Sequence, residues 1–203
     1  MKYMGELTSH FESKPAFTSR EVRTFLRNRG GSAGYHKLLI HNLQKSRRIF
    51  KISRGAYTFH EEVQLVGFGF QPFYYGLEDA LSLRGLWEQE TNPVILTPKR
   101  VRNGLRQFEG RNYLIRKIDR KMFFGFTYMT YYDFSIPVSD VEKTLIDFFY
   151  YRIKIPIEAQ ESITQKIDRA RLRSYLKEVP DSLSRRVIRF LRSDIQNEPW
   201  RNQ

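Results

Sequence analysis

The strongest constraint on the fold lies between Thr18 and Phe59, where four local signals follow one another in a fixed order. Thr18-Ser19-Arg20-Glu21 places a Thr three residues before a Glu, the spacing at which two side chains satisfy free amides at a helix start. Val22, Phe25 and Leu26 then give one apolar face, and Gly30-Gly31 supplies the backbone freedom for a helix stop. Ser32 is read as the cap of a second helix whose inward face is Tyr35, Leu38, Leu39 and Leu43. At about 100° per residue, Lys37, His41, Gln44 and Arg48 share the opposite stripe. Apolar and polar residues then alternate from Ile49 to Phe59 on both sides of Ser53-Arg54-Gly55, which predicts a β-hairpin. Two short helices, a glycine turn and a hairpin predict a winged helix-turn-helix with its second helix in a DNA major groove.

That reading gives each polar residue a task. Lys37, His41 and Gln44 can match donor and acceptor patterns on base edges. Arg47, Arg48, Lys51 and Arg54 suit phosphates, which fix register without reading sequence, and Lys51 and Arg54 would lie on the wing. Ser32 and His36 stand near a helix N-terminus, where amides attract phosphate.

Charge agrees with this placement. The 203 residues carry 35 Lys and Arg against 22 Asp and Glu, a net +13 that favours polyanionic partners. Residues 1–62 hold 12 basic and 5 acidic side chains and are the most basic segment for their length. A second concentration runs from Lys99 to Lys121, with nine basic residues against Glu109 and Asp119. Within it Lys99, Arg100, Arg102 and Arg106 form a patch with three readings: a solvated face, a second DNA contact, or a docking surface for an acidic partner. The absence of cysteine excludes disulfides and thiolate metal sites and fits a reducing compartment. No apolar run approaches the roughly 20 residues of a membrane span, and Met1–Glu6 lacks a signal-peptide core, so a cytoplasmic protein is expected.

Beyond residue 62 the composition becomes more apolar, and a domain boundary is placed there, with Gly67-Phe68-Gly69-Phe70 read as a linker turn. Residues 74–86 read as a helix; 93–98, 112–118 and 123–134 read as strands. Ser139 or Asp140 caps a helix running to about Tyr151, and after Pro156 the pattern is helical to about Asp194 with a break near Pro180. The expected fold is α+β: an N-terminal winged helix-turn-helix over 1–62, then a mixed α+β domain over 63–203 with a helical tail from about 155.

A family resemblance emerges from this order. Lys51-Ile52-Ser53-Arg54-Gly55-Ala56-Tyr57 is followed by Tyr75-Gly76-Leu77-Glu78-Asp79-Ala80-Leu81 and Gly85-Leu86. Next come Ile95-Leu96-Thr97-Pro98-Lys99-Arg100, Phe124-Gly125 and Val141-Glu142-Lys143-Thr144-Leu145-Ile146-Asp147. The series resembles the AbiEi antitoxins of abortive-infection, type IV toxin–antitoxin systems, over about residues 15–152. The helix at Val141 usually follows a Thr-Pro-Glu-Lys-like start in such proteins; here it reads Ser139-Asp140-Val141-Glu142-Lys143, so the Glu-Lys is kept and the Pro is not. The resemblance implies binding to inverted repeats at the protein's own promoter, repression of its operon, and neutralisation of a nucleotidyltransferase toxin by the C-terminal domain. Two half-sites would call for a homodimer or two monomers side by side.

No catalytic constellation emerges, and the chain is read as a non-enzyme without cofactor or metal. His36 and His41 are five apart, a poor spacing for one helix face, and Glu142 and Asp147 diverge in the same way. The alternatives are a winged-helix regulator with no toxin, and a Mg²⁺-dependent defence nuclease using the region of Asp119, Asp133 and Glu142.

Overall fold

A computed structural model describes residues 3–196, with side chains described to Arg192. The architecture is mixed α+β with two separate sheets. The chain opens with α1 (Met4–Phe11), β1 (Phe17–Thr18), α2 (Ser19–Arg27), α3 (Tyr35–Lys45) and the hairpin β2 (Phe50–Ser53) and β3 (Ala56–Thr58). These strands form a three-stranded antiparallel sheet in the order β1-β3-β2. Leu7 and Phe11 of α1, Phe17 of β1, Val22, Phe25 and Leu26 of α2, and Leu39, Ile40 and Leu43 of α3 form its core.

The capping box at α2 is present: the Thr18 hydroxyl accepts from the Glu21 amide at 3.1 Å, and the Glu21 carboxylate accepts from the Thr18 amide at 2.7 Å. Three local expectations are corrected. Helix α1, which the sequence reading passed over, completes this core. Ser32 does not cap α3, because the helix starts after Gly34, whose φ of 87° suits glycine. Leu38 is 51% exposed and Ile40 is buried instead, beside Leu39 and Leu43, which keep the inward positions expected of them.

The second sheet has six strands: β4 (Tyr74–Tyr75), β5 (Val94–Thr97), β6 (Gly104–Phe108), β7 (Arg111–Lys117), β8 (Phe126–Tyr131) and β9 (Phe134–Ser139), in the order β6-β7-β5-β4-β9-β8. The pairs β5–β7 and β4–β9 are parallel and the others antiparallel. Helix α4 (Leu77–Leu83) lies between β4 and β5 in the chain, and α5 (Val141–Tyr151), α6 (Ile157–Lys166), α7 (Arg169–Glu178) and α8 (Asp181–Gln196) follow β9. Period-two alternation separates two faces: Tyr74, Val94 and Leu96 meet the helices, while Tyr75, Ile95, Ile115, Ile136 and Val138 point to the other side. With both faces covered, the central strands read as unbroken apolar runs. Among the described residues no helix is long and apolar enough to cross a membrane.

The predicted strand over 123–134 is instead a β8–β9 hairpin turning at Tyr132-Asp133, and the predicted helix over 74–86 begins only after the two residues of β4. Gly67-Phe68-Gly69-Phe70 is not a linker. It belongs to a buried 3₁₀ segment, Val63–Phe70, packed on the sheet together with Phe50 and Ile52 of β2. A Cβ on Gly69 would meet Ile52 Cγ2 at 2.6 Å, and one on Gly67 would meet the Phe73 ring at 2.2 Å. The glycines are there for close approach, and the two halves of the chain share a continuous apolar core across residue 62.

Candidate nucleic-acid interface

In α3 the buried Leu39, Ile40 and Leu43 turn Lys37 and His41 to the surface, with Gln44 half-exposed beside them. In the hairpin, Phe50 and Ile52 face the second sheet, so alternation places Lys51 outside. Arg54 stands at the hairpin tip, where Gly55 has φ 77° and so makes the tight turn. Among the described residues no ion pair engages Lys37, Lys51 or Arg54.

His36 lies in the first turn of α3, half-buried. Its pKa is held below the ordinary histidine value by burial first, then by the neighbouring Arg23 and Lys37 charges. Arg23, on the exposed side of α2, is therefore part of the same cationic group, although the sequence reading did not select it. Its signal was its place next to Val22, about 100° round the helix and so at the flank of the buried face. Ser32 is exposed, two residues before the cap of α3.

Arg47 and Arg48 lie beyond the C-terminus of α3 and not on its stripe. Arg48 donates to the Thr8 hydroxyl of α1 at 3.1 Å. Arg47, with φ 53°, reaches across to Glu109 at the β6–β7 turn, 2.7 Å away. The four residues of the second basic patch also separate. Arg106 lies over the Phe70 ring and donates to the Arg102 carbonyl at 2.8 Å. Lys99 and Arg100 instead line a cavity of about 540 Å³ with Lys117, Arg120, Phe123, Pro72 and Pro98.

Behind the second sheet lies a buried polar cluster that sequence reasoning missed. Lys143 and Asp147, four apart on α5 and both fully buried, form an ion pair. The Tyr74 hydroxyl accepts from Lys143 Nζ at 2.9 Å and donates to Asp147 at 2.9 Å. Burial pushes the Asp147 carboxyl up and the Lys143 ammonium down, and their mutual attraction opposes both shifts. Asp140 caps α5 through the Lys143 amide at 2.8 Å and accepts from Tyr175 at 2.7 Å. Glu142 accepts from the Asp168 amide at 2.6 Å and sits 3.6 Å from Arg171. Every member is tied to a neighbouring element, so the cluster reads as the joint between α5, α7 and the sheet. The acids of the nuclease alternative are not brought together: Asp119 caps the turn at Lys121, and Asp133 and Glu142 stand beyond opposite ends of β9. Among the described residues no three His, Asp or Glu side chains gather in a metal-binding arrangement.

No protein-family model matches this chain, and no curated protein matches it.

Proposed function

We propose that this chain is a DNA-binding autorepressor of the antitoxin type, with residues 3–59 acting as a winged helix. The observation that carries this reading is the pairing of an exposed α3 stripe, Lys37, His41 and Gln44, with the exposed Lys51 and Arg54 of the β2–β3 hairpin on one small unit. In this reading α3 enters the major groove and the hairpin is the wing, with Arg23 and His36 against a phosphate. Exposed Leu38, unfavourable in water, suits the methyl group of a thymine. Operator inverted repeats, in the protein's own promoter, and neutralisation of a nucleotidyltransferase toxin by residues 63–203 rest on the family resemblance. A cytoplasmic location, no cofactor and no catalytic activity belong to the same proposal.

The test is a gel-shift titration on the protein's own upstream duplex against a scrambled duplex, at several salt concentrations. Lys51→Ala with Arg54→Ala should weaken both duplexes alike and lower the salt slope by about 1.8, at about 0.9 per phosphate contact. Lys37→Ala should cost about 1–3 kcal/mol on the upstream duplex and much less on the scrambled one. Equal wild-type affinity for the two duplexes would remove the operator claim. Co-expression with the nucleotidyltransferase of an adjacent reading frame tests the antitoxin half: growth should be restored by residues 63–203 carrying wild-type sequence within the full chain, and should survive Lys37→Ala.

A further inference from the structure

The cavity beside Phe123 has a chemistry that the winged-helix reading does not use. It lies at the carboxyl ends of the parallel strands β5 and β7, whose register pairs Thr97 with Lys117. Lys99 and Arg100 leave β5 there, and Lys117 and Arg120 leave β7. All four line the cavity, all four are exposed, and none is in an ion pair among the described residues. The one acid nearby in sequence, Asp119, is occupied by the Lys121 amide at 2.8 Å.

The scaffold under these cations is fixed. The Thr97 hydroxyl donates to the turn that precedes β4, with the Pro72 carbonyl at 2.7 Å, and accepts from the Lys99 amide at 3.1 Å. The Lys117 amide donates to Asn103 at 2.6 Å, and its carbonyl accepts from the Tyr151 hydroxyl at 2.9 Å. Pro72 and Phe123 are shared with an adjoining groove of about 430 Å³, walled by Phe68, Phe73, Phe126 and Tyr128. Phe126 is stacked on Tyr74 and braced by Phe123, so this aromatic wall is rigid, while Tyr128 is 69% exposed.

We propose that the cavity and groove together bind a short single-stranded oligonucleotide. The four cations hold successive phosphates, with Arg100 and Arg120 offering forked donors, and unpaired bases stack along the groove on Tyr128 and its neighbours. A duplex cannot use this site, because its bases already stack on one another and their faces are closed. An acidic peptide would satisfy the cations but leave the aromatic wall without a role.

The test is fluorescence anisotropy of the full chain with a labelled ten-nucleotide single strand free of self-complementarity, as DNA and as RNA, and with the DNA duplex of the same sequence. Lys117→Ala with Arg120→Ala should weaken single-strand binding at least about ten-fold and lower its salt slope by about 1.4, at about 0.7 per phosphate. Tyr128→Ala should weaken it at least about five-fold with the salt slope unchanged, the stacking loss of one base. Duplex binding should stay within about two-fold of wild type in both variants, which also reports that they fold. The DNA and RNA arms show which sugar is preferred. Single-strand affinity unchanged in either variant, equal loss on the duplex, or competition by polyglutamate as strong as by the unlabelled strand would each overturn the proposal.

Discussion

In the α3–hairpin unit Lys37, Lys51 and Arg54 stand in water outside any ion pair among the described residues, whereas in the second unit Lys143 and Asp147 are packed beneath helices and spent on each other. Lys37 and Lys51 are exposed; Lys143 is 0% exposed and bound to Asp147 and Tyr74. An exposed lysine costs little to keep and can exchange water for a phosphate. A buried one must be matched inside the protein, and its partner is then as essential as itself. The basic surface is thus available for recognition, while the polar interior fixes how α5 and α7 dock on the sheet.

The sharpest way to break that contrast is Lys143→Ala. It leaves the Asp147 carboxylate buried with only the Tyr74 hydroxyl, and should cost about 3–5 kcal/mol in urea unfolding. The double change Lys143→Met with Asp147→Leu should recover most of that loss, because a well-packed apolar pair replaces a desolvated ion pair. A single variant as stable as wild type would show that water reaches the pair.

A second buried acid lacks a cation and should behave differently. Asp79 accepts from Gln64 at 3.0 Å and from the Val94 amide at 3.1 Å, and burial raises its pKa to about 7. The folded chain therefore keeps a proton that the unfolded chain loses near the ordinary carboxylate value of about 4. Its stabilising contribution is complete below that value and is lost as pH rises toward 7, by an amount on the order of a few kcal/mol. Asp79→Asn should remove that slope and be the more stable protein at pH near 8; an unchanged slope in unfolding titrations would assign it to Glu142 or Asp147, which burial also raises.

Legibility in the sequence follows the same division. Elements set by neighbours in the chain were readable: the Thr18 capping box, the hairpin at Gly55, β5, and the cap at Asp140. Features set by distant contacts were not. Leu38 looks apolar and inward until α3 is packed against α1 and α2 through Leu39, Ile40 and Leu43, and the glycines at 67 and 69 look like a linker until Ile52 and Phe73 are placed against them. The Lys143–Asp147 spacing of four was visible, but an i,i+4 pair ordinarily lies on a solvated face. Only Tyr74, sixty-nine residues earlier than Lys143, shows that this one is inside. The basic patch was found as a run of residues, but its division between Arg106 on Phe70 and a cavity shared with Lys117 and Arg120 depends on strand pairing.

The smallest expected effect falls where the two regions meet. Arg47 and Glu109 join the end of α3 to the β6–β7 turn at 2.7 Å, with the arginine largely in solvent. Such a pair contributes less than about 1 kcal/mol, so Glu109→Gln should barely move the unfolding midpoint. It should nonetheless free a guanidinium beside the proposed wing. If Arg47 touches a phosphate, the salt slope for duplex binding should steepen by up to about 0.9 and affinity at low salt should rise. An unchanged slope with unchanged stability would confine Arg47 to the junction and leave DNA contact to Lys37, Lys51 and Arg54, drawing the boundary between the reading surface and the supporting body at the end of α3.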